Sequence, residues 1–184
     1  MWRLKRESTI LAVIDVQEKL AKHMADSDVL QTNIDHLVRG CHLLNVPALL
    51  TEQYPKGLGG TTSIVQKSFD ETYGTHTIQK SCFSGAGCSD FSESLKLAAR
   101  KQVLLAGIEA HVCVYQTAMD LIESGYEVHL VSDAISSRKS ANKEVALRRL
   151  VSEGAKITSM EMVLFELTVE AGTDEFRAIS KLVK

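Results

Sequence analysis

The sequence predicts an α/β fold of three layers, α/β/α, with a Rossmann-like six-stranded parallel sheet at the centre and helices on both faces. Three observations predict it. Short apolar runs, such as Ile10 to Ile14 and Val103, Leu104 and Leu105, alternate with longer stretches whose apolar residues recur at threes and fours. The runs are apolar at successive positions rather than at every second one, the pattern of strands covered on both faces. Strand and helix patterns also alternate along most of the chain, an order that favours parallel strands joined by helical crossovers.

The first strand covers residues 9–14 and ends at Asp15. From Ser27, the spacing of Val29, Leu30, Ile34, Leu37, Val38, Cys41 and Leu44 predicts one helix, with Ser27 or Asp28 as its cap. Pro47 precedes a short second strand at 48–50. Residues 51–62, TEQYPKGLGGTT, contain Pro55, Gly57, Gly59 and Gly60 and read as loop. A weaker third strand at 75–79 ends at Lys80, and a second loop, SCFSGAGCSD, leads to a helix at about 91–100. Residues 102–106 form the fourth strand. After Gly107 a tight turn leads into a helix that begins near Cys113 and runs to Ser124, with Gly125 ending it. A fifth strand at 126–131, a helix at 141–153 stopped by Gly154, a sixth strand at 156–158 and a mostly helical remainder complete the chain. No repeat or linker divides it, so residues 1–184 read as a single domain.

Composition narrows the function. The 21 Lys and Arg residues balance 23 Asp and Glu residues, for a formal net charge of −2, and no basic stripe suggests a nucleic-acid partner. Four cysteines, Cys41, Cys82, Cys88 and Cys113, are too few for a disulfide-stapled scaffold and suit a reduced, cytoplasmic setting, with a mitochondrial one as the alternative. Basic residues precede the apolar run 10–14, but that run is only five residues long and Asp15 interrupts it, so it reads as a strand rather than a signal peptide. No stretch approaches membrane-spanning length, and no membrane partner is expected.

Asp15, Lys80 and Cys113 each lie at or just beyond the carboxyl end of a separate inferred strand, the edge of a parallel sheet where ligand crevices form. Singly, each has a plainer reading: a turn or cap residue, a solvated lysine, a small buried hydrophobe. Together they make a workable site for a small-molecule substrate. Cys113 is the nucleophile, Asp15 the base that takes its proton and later returns it to the leaving group, and Lys80 the positive charge between them. A cysteine at a helix start beside a cation is expected to have a lowered pKa. His111 reads as a turn residue rather than a second base. Gly57, Gly59 and Gly60 read as loop geometry rather than a phosphate cradle, because no P-loop lysine accompanies them.

The segments IDVQ, KSCFS, GIEAHVCVYQTAMDL and GYEVHLVSDA, in that order, resemble the isochorismatase-like cysteine hydrolase family over nearly the whole chain. The resemblance implies an Asp–Lys–Cys triad on Asp15, Lys80 and Cys113, and assembly as a homo-oligomer. It also implies a non-proline cis peptide between Ile108 and Glu109, with the backbone N–H groups of Glu109 and Cys113 as an oxyanion hole. Nicotinamidases of that family carry an Asp-x-His metal motif after the second strand. This chain reads Thr51, Glu52, Gln53, Tyr54 there, and none of its six histidines is near, so no metal and no other cofactor is expected. The segment TEQYPKGLG resembles the eukaryotic isochorismatase-domain-containing subfamily. Gln17, Tyr54, Phe83 and Tyr115 are the expected pocket residues.

The expected activity is hydrolysis of a small amide or related C–N or acyl bond through a thioester on Cys113. A weakly catalytic binding or scaffold protein on the same fold is the alternative. Vinyl-ether hydrolysis and ribonuclease activity fit less well, the first because it needs a proton donor and an activated water more than a thiol, the second because the charge is near neutral.

Overall fold

The computed structural model describes residues 3–184. After a 3₁₀ turn at Arg6–Ser8, the order is β1 (Thr9–Ile14), α1 (Glu18–Ala21), α2 (Ser27–Leu43), β2 (Ala48–Gln53), α3 (Pro55–Leu58), α4 (Ser63–Thr72), β3 (Thr77–Lys80) and α5 (Ser89–Ala98). There follow β4 (Gln102–Ile108), a π-helical turn (Ala110–Val114), α6 (Tyr115–Glu123), β5 (Glu127–Ser136), α7 (Ser140–Ser152), β6 (Lys156–Thr158), α8 (Met160–Thr168) and α9 (Asp174–Leu182). The six strands form one parallel sheet in the order β3-β2-β1-β4-β5-β6. The expected fold class is therefore the observed one.

The continuous apolar runs divide their side chains between two cores, as the two-residue period of a strand requires. Leu11 and Val13 of β1 join Leu104, Ala106 and Ile108 of β4 on the face covered by α2, α4, α8 and α9. Ile10, Ala12 and Ile14 join Val103 and Leu105 on the face covered by α5, α6 and α7. Burial on both faces is why these strands carry almost no polar residue until their carboxyl ends.

The structure departs from the sequence reading at several places. β2 continues through Thr51, Glu52 and Gln53, all buried, and the segment read as loop also forms the short helix α3, with Pro55 at its first turn. Helix α4 was not expected, because only Val65 and Phe69 carry its large buried apolar side chains. The cap of α2 is Asp26, at φ 52°, rather than Ser27 or Asp28. β4 and β5 each run further than their apolar cores, to Ile108 and Ser136, with a register shift between Leu105 and Gly107.

On the other side of β4, at the same residue, β1 makes one close approach. Gly107 lies opposite Ile14 across β1 and β4, at φ +117°, and a Cβ there would stand 2.1 Å from the Ile14 carbonyl oxygen. Only glycine supplies both the backbone angle and the missing atom. The contact brings the end of β1, where Asp15 follows, against the end of β4, where Glu109 follows. Gly107→Ala is expected to destabilise the protein by at least about 2 kcal/mol through overpacking and backbone strain, measured as a lower urea midpoint with an unchanged m-value.

Candidate active site

The strand ends β1, β2 and β3 converge on an ion pair with no exposed surface. The Lys80 ammonium reaches Asp15 Oδ2 at 2.6 Å, and both side chains are 0% exposed. Asp15 sits just past β1 in the left-handed region, at φ 52°, with its N–H donating to Thr51 O at 3.2 Å and its Oδ1 accepting from Thr51 Oγ1 at 2.7 Å. Lys80 Nζ also donates to Gln53 Oε1 at 2.7 Å, Phe83 O at 2.9 Å and Cys82 O at 3.2 Å. Four acceptors surround three ammonium protons, so none is left over for a substrate. This satisfied shell is what makes two buried charges tolerable.

Cys113 lies in the π-helical turn between β4 and α6, buried at 5% exposure. The Asp15 carboxylate acts on its thiol both as a neighbouring charge and as a hydrogen-bond partner. The thiol is pushed up from 9.0 to about 12, mostly by burial, with the Asp15 charge, the hydrogen bond to Asp15 and the charge of Glu109 adding to the rise and Lys80 opposing it. The expectation of a lowered pKa is thereby overturned. Desolvation and a carboxylate acceptor both favour the protonated form, and together they outweigh the single ammonium.

The peptide bond between Ile108 and Glu109 is cis. The Glu109 side chain is itself buried and fixed, accepting from Arg138 N at 3.0 Å and Arg138 Nε at 3.1 Å, while its carbonyl accepts from Val112 N and Val114 N to wind the turn that carries Cys113.

The pocket residues divide. Tyr54 and Phe83 are 59% and 53% exposed and flank Lys80 through their backbones, Tyr54 N–H donating to Lys80 O and Phe83 O accepting from Lys80 Nζ. Gln17 is placed differently. It is fully buried, and its amide is spent on Gln53 O at 3.0 Å, Gly59 O at 2.6 Å and Gln53 N at 2.8 Å, clasping β2 and the glycine segment to the end of β1. Tyr115 lies towards α7. Its ring packs under the Arg149 guanidinium of α7, 4.9 Å from the ring centroid, beside His111, Val145 and Ala146. His111 is held between Ser137 Oγ at 3.0 Å and Asn142 Nδ2 at 3.3 Å. The glycine segment offers Gly57 O to Lys19 and Gly60 O to Glu18 N–H, carbonyls rather than the N–H groups that cradle a phosphate.

The residues do not fit a metal. Glu52 Oε1 accepts from Thr61 N at 2.7 Å and Thr61 Oγ1 at 2.9 Å, and among the described residues no three His, Cys, Asp or Glu side chains are grouped to hold an ion. Thr51 and Gln53 are the site residues that the sequence reading missed. Their signal was three polar residues directly after the apolar run of a strand that neighbours β1.

A six-stranded parallel sheet with a cysteine, a carboxylate and an ammonium gathered at its carboxyl edge defines an α/β protein with the groups for nucleophilic and acid–base chemistry. The chain belongs to the isochorismatase family, whose model, described as the Isochorismatase domain, matches residues 9–162. It is 41% identical over 184 residues to the "Secreted isochorismatase effector Isc1" of Phytophthora sojae, covering 99% of this chain and 87% of the relative. It is 39% identical over 181 residues to "Isochorismatase domain-containing protein 2" of Danio rerio, covering 98% and 89% respectively, and so falls in the eukaryotic subfamily. A solved structure described as the MAR1 ribonuclease of Caenorhabditis elegans superposes with a TM-score of 0.90 at 33% identity, over 98% of this chain and 92% of that one. Among the described residues no helix is long and apolar enough to cross a membrane.

Two outcomes follow from the geometry. Lys80→Met leaves the Asp15 charge buried without its cation and is expected to cost about 3–5 kcal/mol of stability in urea unfolding. The Cys113 thiol ionises at about 12 when folded against 9.0 ordinarily. Its burial therefore contributes fully to stability below pH 9 and loses that contribution as pH rises towards 12. Cys113→Ala is expected to flatten the alkaline fall in stability, followed by urea midpoints across that range.

Proposed function

We propose that the chain is a cysteine-dependent hydrolase that cleaves a small amide, or a related C–N or acyl bond, through a thioester on Cys113. The observation that carries this reading is the Asp15 carboxylate, paired with the Lys80 ammonium at 2.6 Å and acting electrostatically on the Cys113 thiol. Because the thiol rests protonated, Asp15 takes its proton as the sulfur attacks the carbonyl carbon, rather than beforehand. The oxyanion that forms is received by the backbone N–H groups of Glu109 and Cys113. Asp15 then passes the proton to the leaving nitrogen, the C–N bond breaks, and the acyl group stays on sulfur. A water, deprotonated by Asp15, attacks the thioester and frees the acid and the thiol. Lys80 keeps the carboxylate oriented and its charge balanced throughout. Tyr54 and Phe83 supply apolar walls. The chain works as one domain, without metal or cofactor, and assembles as a homo-oligomer.

A second reading, a binding or scaffold protein with a dormant cysteine, is favoured by the thiol held at about 12. A third, ribonuclease activity, draws on the name of the Caenorhabditis elegans structure, and the net charge of −2 weighs against it. A panel of small amides, carbamoyl compounds and ureides, with mass-spectrometric trapping of acyl adducts, tests all three. The hydrolase reading expects an adduct on Cys113 and a loss of turnover of at least about 10⁴-fold in Cys113→Ala. Full turnover in that variant sinks it, absence of any adduct supports the scaffold, and RNA binding that weakens steeply with salt supports the ribonuclease.

A further inference from the structure

Thr117, in the first turn of α6, is fully buried and uses its hydroxyl twice. Oγ1 donates to the Cys113 carbonyl at 2.6 Å, one turn back, and accepts from the Gly85 N–H at 2.8 Å. The first bond is an ordinary habit of a helical threonine. The second is not local, since it joins positions 32 apart and crosses from the helix after Cys113 to the segment after β3. A hydroxyl has one hydrogen, so aiming it at Cys113 O leaves a lone pair for Gly85, and both bonds are made at once.

The segment reached in this way is the one that holds Lys80. It supplies the carbonyls of Cys82 and Phe83 to Lys80 Nζ, at 3.2 and 2.9 Å, three and two residues before Gly85. It is also close-packed at the point of contact, because a Cβ on Gly85 would stand 3.4 Å from both the Phe91 ring and Thr117 Cγ2. Just beyond, Ala86 and Cys88 pack onto the core cluster that contains Cys113. A circuit of hydrogen bonds thus runs from Asp15 to Lys80, along residues 82–85, through Thr117 and back to the turn of Cys113.

We propose that Thr117 is a positioning residue that clasps the segment holding Lys80 to the turn holding Cys113, fixing the distance between ion pair and thiol and keeping the thiol covered. It deepens the hydrolase reading and rests on Cys113 as its nucleophile. The charged groups that act on the thiol are Asp15, Lys80 and Glu109. Thr117 carries no charge, so its effect on Cys113 is wholly one of geometry and cover.

The test follows alkylation of Cys113 by iodoacetamide, read on the Cys113 peptide by mass spectrometry across a pH series, in the wild type, Thr117→Val and Thr117→Ser. Valine keeps the shape and loses both hydrogen bonds; serine keeps the hydroxyl. Thr117→Val is expected to show a rate midpoint about one pH unit lower and, below it, alkylation about tenfold faster, with Thr117→Ser close to the wild type. A Thr117→Val protein with the wild-type rate and midpoint overturns the proposal. Should that variant not fold, hydrogen exchange of the Gly85 amide in the wild type decides: exchange as slow as the strand amides supports the clasp, and exchange at the rate of an open loop overturns it. Alkylation reports on the thiol whatever the substrate, so failure of the hydrolase reading, seen as full turnover in Cys113→Ala, is distinguishable from failure of the clasp.

Discussion

One ammonium and one carboxylate, both with buried side chains, are the constraint around which this sheet edge is built. Such a pair is costly to bury, and mutual attraction alone seldom offsets the loss of hydration. The compensation here comes from neutral groups: Thr51 on one carboxylate oxygen, Gln53 and two carbonyls on the ammonium. Those groups are in turn held. Gln53 is fixed by Gln17 and by donation of its own amide to Ser81 O at 2.7 Å. Two polar side chains at the end of β2, Thr51 and Gln53, therefore serve a pair of charges.

The cysteine is arranged differently. Nothing in its surroundings favours an ionised sulfur strongly enough to defeat burial, and its acceptor is the same carboxylate that Lys80 holds. In the proposed mechanism the carboxylate paired with Lys80 takes the thiol proton as the sulfur attacks, so that activation is tied to the presence of a reaction partner.

Much of this was legible in the chain. The six strands, their parallel order and the placing of Asp15, Lys80 and Cys113 at strand ends follow from uninterrupted apolar runs and the residues that end them. The rest depended on three-dimensional neighbours. The polar end of β2 read as loop because its buried partners, Thr61 for Glu52 and Lys80 for Gln53, lie 9 and 27 residues away. Helix α4 went unread because a stripe of Val65 and Phe69 is too narrow to show a period. The commitments of Gln17 to β2 and of Tyr115 to Arg149 of α7 also depend on neighbours distant in sequence. The thiol pKa was misjudged because a helix start is visible in sequence and desolvation is not.

The cover over Cys113 has a consequence for the life of the protein in an oxidising surrounding. Peroxides and disulfides react with thiolates, and a thiol that rests protonated with 5% of its surface exposed presents almost none. Cys82 and Cys88, by contrast, are free and partly exposed on the neighbouring segment. Those two sulfurs are the more accessible to an oxidant, so the burial that keeps the Cys113 thiol protonated also preserves it.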